Sequence, residues 1–179
     1  MNSPSQTSPV PPNATKPDAV SLLIIAAATV YMTVAVLNSQ PLQSANDRSR
    51  WCTIYSLVEK GVYHIDEIDQ VPAWSTIDKV RHRANEKEPW HFYSSKPPLF
   101  PTMVAGLYWL EKQTLGYDLF TDTKTVSRLL LLFINVLPMC LALLAFRRSL
   151  QRLNVSMTVR WIMLATAGFA TMLSPFLTT

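Results

Sequence analysis

The chain has 179 residues, 49% of them hydrophobic, with a net charge of +4 and a pI near 9.2. Its apolar residues are gathered into long uncharged runs, which points to a membrane protein and away from a single soluble domain. The basic balance does not argue for nucleic acid, because bases and aromatics form no common exposed stripe.

Residues 1 to 18 carry five prolines among Ser, Thr and Asn and cannot bury a core, so a disordered tail is expected there. Ala19–Leu37 then runs 19 residues without a charge, Leu129–Phe146 runs 18, and Trp161–Thr179 runs 19. At about 1.5 Å per residue each can cross a hydrocarbon core of roughly 30 Å. The first run reads as an uncleaved helix, since only Lys16 precedes it as a base and no small-x-small cleavage site follows. The expected fold class is therefore an all-α membrane protein: three transmembrane helices with an outer loop carrying amphipathic juxtamembrane helices.

The loop, residues 38 to 128, holds eleven basic and eleven acidic residues, and Lys16 cancels Asp18. The whole excess thus lies in Arg147, Arg148, Arg152 and Arg160, a short basic loop at 147–160 that belongs on the cytoplasmic side. The N-terminus is then cytoplasmic and the long loop extracytoplasmic. A bacterial inner membrane is the expected location.

Within the loop, Trp51, Ile54, Tyr55 and Val58 recur at i, i+3, i+4 and i+7 up to Gly61, which predicts an amphipathic helix over about 49–60, capped by Asp47 or Ser49. The alternation after Gly61 predicts an extended segment to Gln70, and Trp74, Ile77 and Val80 predict a further helical turn. Asp66, Glu67 and Asp69 have the chemistry to bind a cation, but a solvated acidic turn is the expected reading. His64, His82 and His91 are too irregularly spaced to suggest a metal site. Cys52 and Cys140 lie too far apart along the topology for a disulfide. The apolar stretch 97–110 is short and opens with Pro97, Pro98 and Pro101, so it predicts a helix lying in the outer interface with Tyr108 and Trp109 at headgroup level. Asn135 and Pro138 in the second span predict a packing contact or a kink.

Asp47 and Lys96 are the candidate chemistry. Both fall at one membrane face, where a carboxylate could take a proton from an acceptor and a lysine could offset charge on a leaving phosphate. Each has a plain alternative, Asp47 as a helix cap and Lys96 as a snorkelling juxtamembrane lysine. Arg128, opening the second span, has the same pair of readings. Four glycines and no GxGxxG, GxxxxGK or GxSxG pattern leave nucleotide-driven and serine-hydrolase chemistry without their usual grip. No cofactor, metal or nucleic acid is expected.

The order of Asn46-Asp47-Arg48-Ser49-Arg50-Trp51 after a first span, Lys96-Pro97-Pro98 opening an interfacial helix, and Val126-Ser127-Arg128 opening the next span resembles the N-terminal part of GT-C-type membrane glycosyltransferases. The likeness is to the family 39 group, which includes protein O-mannosyltransferases and lipid A aminoarabinose transferases. The resemblance implies transfer of a sugar from a polyprenyl-phosphate carrier on the extracytoplasmic face. It implies Asp47 as general base or acceptor-positioning residue, and Lys96, Arg50 and Arg128 as contacts to the carrier phosphate. Arg48 departs from the pattern by replacing an acidic neighbour, which leaves a second-carboxylate role without a residue. Such enzymes have more spans, so the expected partners are the donor lipid, the bilayer and the remaining part of an enzyme. The competing expectation is a noncatalytic membrane anchor, assembly protein or inactive fragment. A transporter fits poorly because the span interiors lack ionisable residues.

Overall fold

The computed structural model describes residues 18–170. The tail expected over 1–18 lies outside the described residues except for Asp18, and the end of the expected third span lies outside them as well.

Helix α1, Ala19–Asn38, starts on Asp18, whose side chain accepts the Ser21 N–H. Thr29 and Thr33, its mid-helix hydroxyls, donate to the Ile25 and Thr29 carbonyls at 2.9 and 2.8 Å, so they carry no unmet polarity. Further along, α4 (Thr123–Leu131), a π turn (Leu132–Val136) and α5 (Leu137–Arg152) stack into one rod of 30 residues, Thr123–Arg152. The π turn has a cause in the sequence. Pro138 has no N–H to give and its ring crowds the carbonyl four residues back, at Ile134, so the backbone widens there.

Two helices, Ala19–Asn38 and Thr123–Arg152, are long and apolar enough to cross a membrane. Only 28% and 22% of their most apolar stretches are buried, so most of that apolar surface faces outward and is not consumed by a protein core. The third helix, α6, is described over Met157–Phe169, 13 residues or about 20 Å. It starts before the expected boundary at Trp161. The expected basic loop is correspondingly shorter: Arg147, Arg148 and Arg152 belong to α5, only residues 153–156 link the helices, and Arg160 sits in the first turn of α6.

Arg160 is not a free loop charge. Its Nη1 lies 2.9 Å from Asp18 Oδ2, its Nη2 donates to the Val155 carbonyl at 3.1 Å, and Trp161 Nε1 donates to Asp18 Oδ1 at 3.0 Å. This clamp puts the starts of α1 and α6 side by side, so the two helices run parallel, with Tyr31 against Phe169 further along. Gly168 faces Ala28 so closely that an added Cβ would stand 2.9 Å from the alanine methyl. Ile25, Ala28, Leu143, Leu150 and Leu164 form the buried cluster at this end.

The other end carries a folded head. Helix α2, Ala45–Lys60, begins earlier than expected because Ser44, and neither Asp47 nor Ser49, is the N-cap; Gly61 ends it in the left-handed conformation. Helix α3, Leu99–Leu115, is likewise longer than expected and ends at Gly116. It buries Pro101, Val104, Ala105 and Tyr108 against α2 and leaves Leu99, Phe100, Met103, Trp109 and Leu110 outside.

Between these helices the all-α expectation fails. Strands β1 (Lys79–His82) and β2 (His91–Ser94) pair antiparallel, Lys79 opposite Ser94 and His82 opposite His91. Apolar alternation does not drive this hairpin; instead, Arg81 and Arg83 lie over the Trp90 ring at 5.2 and 4.7 Å and Lys79 lies over Phe92 at 4.8 Å. The extended segment expected over 61–70 is a turn with a 3-10 helix, Ile68–Gln70, and the helical turn expected at 74–80 is absent. Trp74 stacks on Phe120 and packs with Tyr55, Ile54, Ile65, Ile68 and Leu119 in the head's core, while Ile77 is exposed.

Candidate functional site

Asp47 occupies the third position of α2 and completes a capping box. Its Oδ2 accepts the Ser44 backbone N–H at 3.2 Å and the Ser44 hydroxyl at 2.6 Å, and its own N–H donates to Ser44 Oγ at 3.1 Å. The capping expectation is therefore met in a different role from the one expected. All its side-chain bonds to described residues fall on Oδ2, which leaves Oδ1 to the space beside it.

That space is a cavity of about 530 Å³ between α2, the start of α3 and the π turn. Its polar wall is Asp47, Arg50, Lys96 and Asn135, and its apolar wall includes Trp51, Ile54, Phe100 and Leu131. The exposed Leu99 and Met103 also line it, so the cavity opens beside the outward apolar face of α3. The expected base, Asp47, and two of the three expected phosphate contacts, Arg50 and Lys96, thus line one cavity. One helical turn separates Asp47 from Arg50 on α2, and Lys96 arrives from the end of the hairpin just before α3.

Arg128 stands apart. Its Nη2 donates to the Ser39 carbonyl at 3.2 Å, so it ties the start of the rod to the exit of α1 and does not face the cavity. Arg48 likewise reaches back, toward the Leu42 carbonyl at 3.4 Å.

The second carboxylate comes from a residue the sequence pattern did not single out. Asp78, just ahead of β1, lies with Oδ2 3.0 Å from Lys96 Nζ and accepts the Ser95 hydroxyl on Oδ1. That hydroxyl, opposed by burial and helped by Lys96 and Arg50, holds the Asp78 carboxyl below the usual carboxylate range. Asp78 is anchored through its backbone as well, since Ser49 Oγ donates to its carbonyl at 2.6 Å and also lies 2.6 Å from Ser94 Oγ. Lys96 is only partly exposed, and it also lines a smaller cleft of about 250 Å³ with Tyr63, Tyr93 and Pro98. Arg50, by contrast, makes no ion pair or side-chain hydrogen bond with any described residue.

The arrangement can receive an anion. A guanidinium without an ion-pair partner among the described residues and an ammonium paired with one carboxylate face an apolar-walled space, where charge interactions are stronger than in water. Cys52 is not a competing nucleophile, because burial, reinforced by Asp69, pushes its thiol up to about 12.

The acidic turn is solvated as expected at Glu67, which is 69% exposed, but Asp66 and Asp69 are largely covered and paired. Glu67 pairs with Lys60 at 2.8 Å, Asp69 pairs with Lys79 and accepts the Thr76 N–H at 2.9 Å, and Asp66 meets both His64 and His91. Docking of the 64–66 segment along β2 closes the 27-residue gap between His64 and His91, which the sequence spacing did not suggest. No family model, curated protein or solved structure matches the chain.

Proposed function

We propose that this chain is the N-terminal part of an integral-membrane glycosyltransferase that moves a sugar from a polyprenyl-phosphate carrier to an acceptor on the extracytoplasmic face. The reading rests on one observation: Asp47, Arg50 and Lys96 line a single cavity that opens beside an outward apolar helix face. A lipid-linked phosphate needs both halves of that arrangement, cations for its head and an apolar edge for its chain.

In this mechanism Asp47 Oδ1 takes the proton from the acceptor as the acceptor atom attacks the anomeric carbon. The bond from that carbon to the phosphate oxygen breaks, its electron pair leaves on the phosphate, and the sugar centre inverts. Arg50 and Lys96 offset the developing charge, while Asp78 holds Lys96 in position and yields to the incoming phosphate. Arg147, Arg148 and Arg152, unpaired among the described residues, support a cytoplasmic N-terminus in a multi-pass inner-membrane protein; Arg160 drops out of that bias because Asp18 neutralises it. The rest of the enzyme is the implied partner.

The pairing of Asp47 Oδ2 with Ser44 and of Lys96 with Asp78 favours a second reading, a noncatalytic anchor or assembly protein in which both groups only hold the head together. Calorimetric titration of the detergent-purified chain with a short-chain polyprenyl-phosphate sugar separates the two. Saturable binding, weakened at least tenfold in Arg50→Ala and Lys96→Ala, is expected for the transferase part. Absence of saturable binding by the parent, in detergent and in nanodiscs, overturns it.

A further inference from the structure

We propose that His64, Asp66 and His91 form a binding site for one divalent transition-metal ion of the zinc type, separate from the cavity. Asp66 Oδ2 lies 3.3 Å from His64 Nδ1 and 2.5 Å from His91 Nδ1, and the three donor atoms fall within 4.8 Å of one another. Two imidazole nitrogens and one carboxylate oxygen make a ligand set suited to Zn²⁺, Co²⁺ or Ni²⁺ and poor for Mg²⁺ or Ca²⁺, which prefer all-oxygen shells. Ligands about 2.0–2.1 Å from a tetrahedral ion stand roughly 3.3 Å apart, the spacing already present between His64 and Asp66. For both Nδ1 lone pairs to converge on one ion the stacked rings must turn out of parallel, and the ion then replaces the hydrogen bond between His91 and Asp66.

The frame around these atoms is built and held. Asp66 Oδ1 accepts the Phe92 N–H at 2.7 Å, which turns Oδ2 toward the two imidazoles. The Ile65 N–H donates to the Phe92 carbonyl at 2.8 Å, and His64 bridges to Tyr93 as an isolated antiparallel pair, so the 64–66 segment is docked along β2. The two imidazoles stack with centroids 4.3 Å apart and planes 20° from parallel, and Tyr93 presents an edge to each. His64 Nδ1 is closed off from solvent and has no hydrogen-bond partner, because the Asp66 contact is not aligned for one. A metal ion placed between the three donors satisfies that nitrogen. The side chains are 27–28% exposed, which leaves an entry path and open positions for water.

The neighbouring charges do not compete for the ion. Glu67 is engaged by Lys60 and Asp69 by Lys79. His82, opposite His91 in the hairpin, lies outside the set and provides an internal control. The consequence is mechanical: the ion ties the 64–66 turn to β2, the strand that runs through Ser94 to Lys96.

The test is titration of the full chain, tag removed and chelator-treated, with Zn²⁺ by calorimetry and with Co²⁺ by visible absorption. One equivalent of Zn²⁺ should bind, Co²⁺ should give ligand-field bands of a nitrogen-oxygen site, and Mg²⁺ should give no heat. His64→Ala, Asp66→Asn and His91→Ala should each weaken Zn²⁺ at least tenfold and abolish the zinc-dependent rise in melting temperature, while His82→Ala should match the parent. No saturable Zn²⁺ binding by the parent, or affinity unchanged in Asp66→Asn and His64→Ala, overturns the site.

Discussion

Two of the molecule's carboxylate–cation pairs, one where α1 and α6 start and one in the head, are built to different standards. In the first, Asp18 is 3% exposed and Arg160 11%, and the Asp18 carboxylate is saturated by Arg160, Trp161 and Ser21. In the second, Asp78 and Lys96 are 18% and 28% exposed, and Arg50 makes no ion pair with any described residue. A saturated, buried pair fixes geometry and has nothing left to offer a ligand. A half-exposed pair with a spare cation can exchange partners.

The sharpest way to break this contrast is to cut the first pair. Asp18→Ala leaves Arg160 buried beside three donors that lose their acceptor, the Ser21 N–H and hydroxyl and the Trp161 N–H, and should cost about 3–5 kcal/mol of stability in detergent, read as a large fall in melting temperature. Asp18→Leu combined with Arg160→Met should recover much of that loss, because the remaining groups are no longer charged.

A second test concerns Glu111, a buried acid in the head whose Oε1 has no hydrogen-bond partner among the described residues. Burial pushes its carboxyl up to about 7. Between the ordinary carboxylate range and pH 7 the folded chain therefore holds a proton that the unfolded chain releases. Stability is full below about pH 4.5, declines as pH rises toward 7, and is flat beyond. Glu111→Gln should remove that slope, on the order of 1–3 kcal/mol, measured by unfolding at pH 5 and pH 8.

Smaller effects probe the head. Asp47→Ala breaks the capping box and should cost about 1 kcal/mol, whereas Asp47→Asn keeps an acceptor for the Ser44 N–H and should be near neutral by thermal unfolding. Lys96→Ala should change stability by less than about 1 kcal/mol, since a partly exposed pair contributes little. A larger loss would place Lys96 with the Asp18–Arg160 clamp as a structural group.

What the sequence revealed follows from the range of the forces involved. Helix periodicity around Trp51 to Val58, the stop at Gly61 and the apolar spans are local signals: they placed α1 to within one residue and located α2, α3 and the rod, but left α2, α3 and the rod too short. Asp47 was legible from its place after the first span and Lys96 from the prolines that mark the start of α3, whereas Arg50 entered only through the family resemblance. The hairpin was hidden because cations over Trp90 and Phe92 replace the usual apolar alternation. Asp78 was hidden because nothing near it in the chain hints at Lys96, 18 residues on. Asp18 with Arg160 and His64 with His91 are long-range pairings that only the folded chain creates, and simple charge counting misassigned Arg160 to a free basic loop.

The wide turn at Leu132–Val136 has a consequence for how the rod is read along its length. One extra residue in a helical turn rotates everything beyond it by roughly 100° about the axis. Val126, Leu130 and Leu131 therefore meet the head, while Leu143 and Leu150 meet α1 and α6, although all five belong to one continuous rod. The π turn works as a phase shifter between two packing problems, and Ile134 and Asn135, at the point of the shift, join Leu131 just before it as the rod's contribution to the cavity wall.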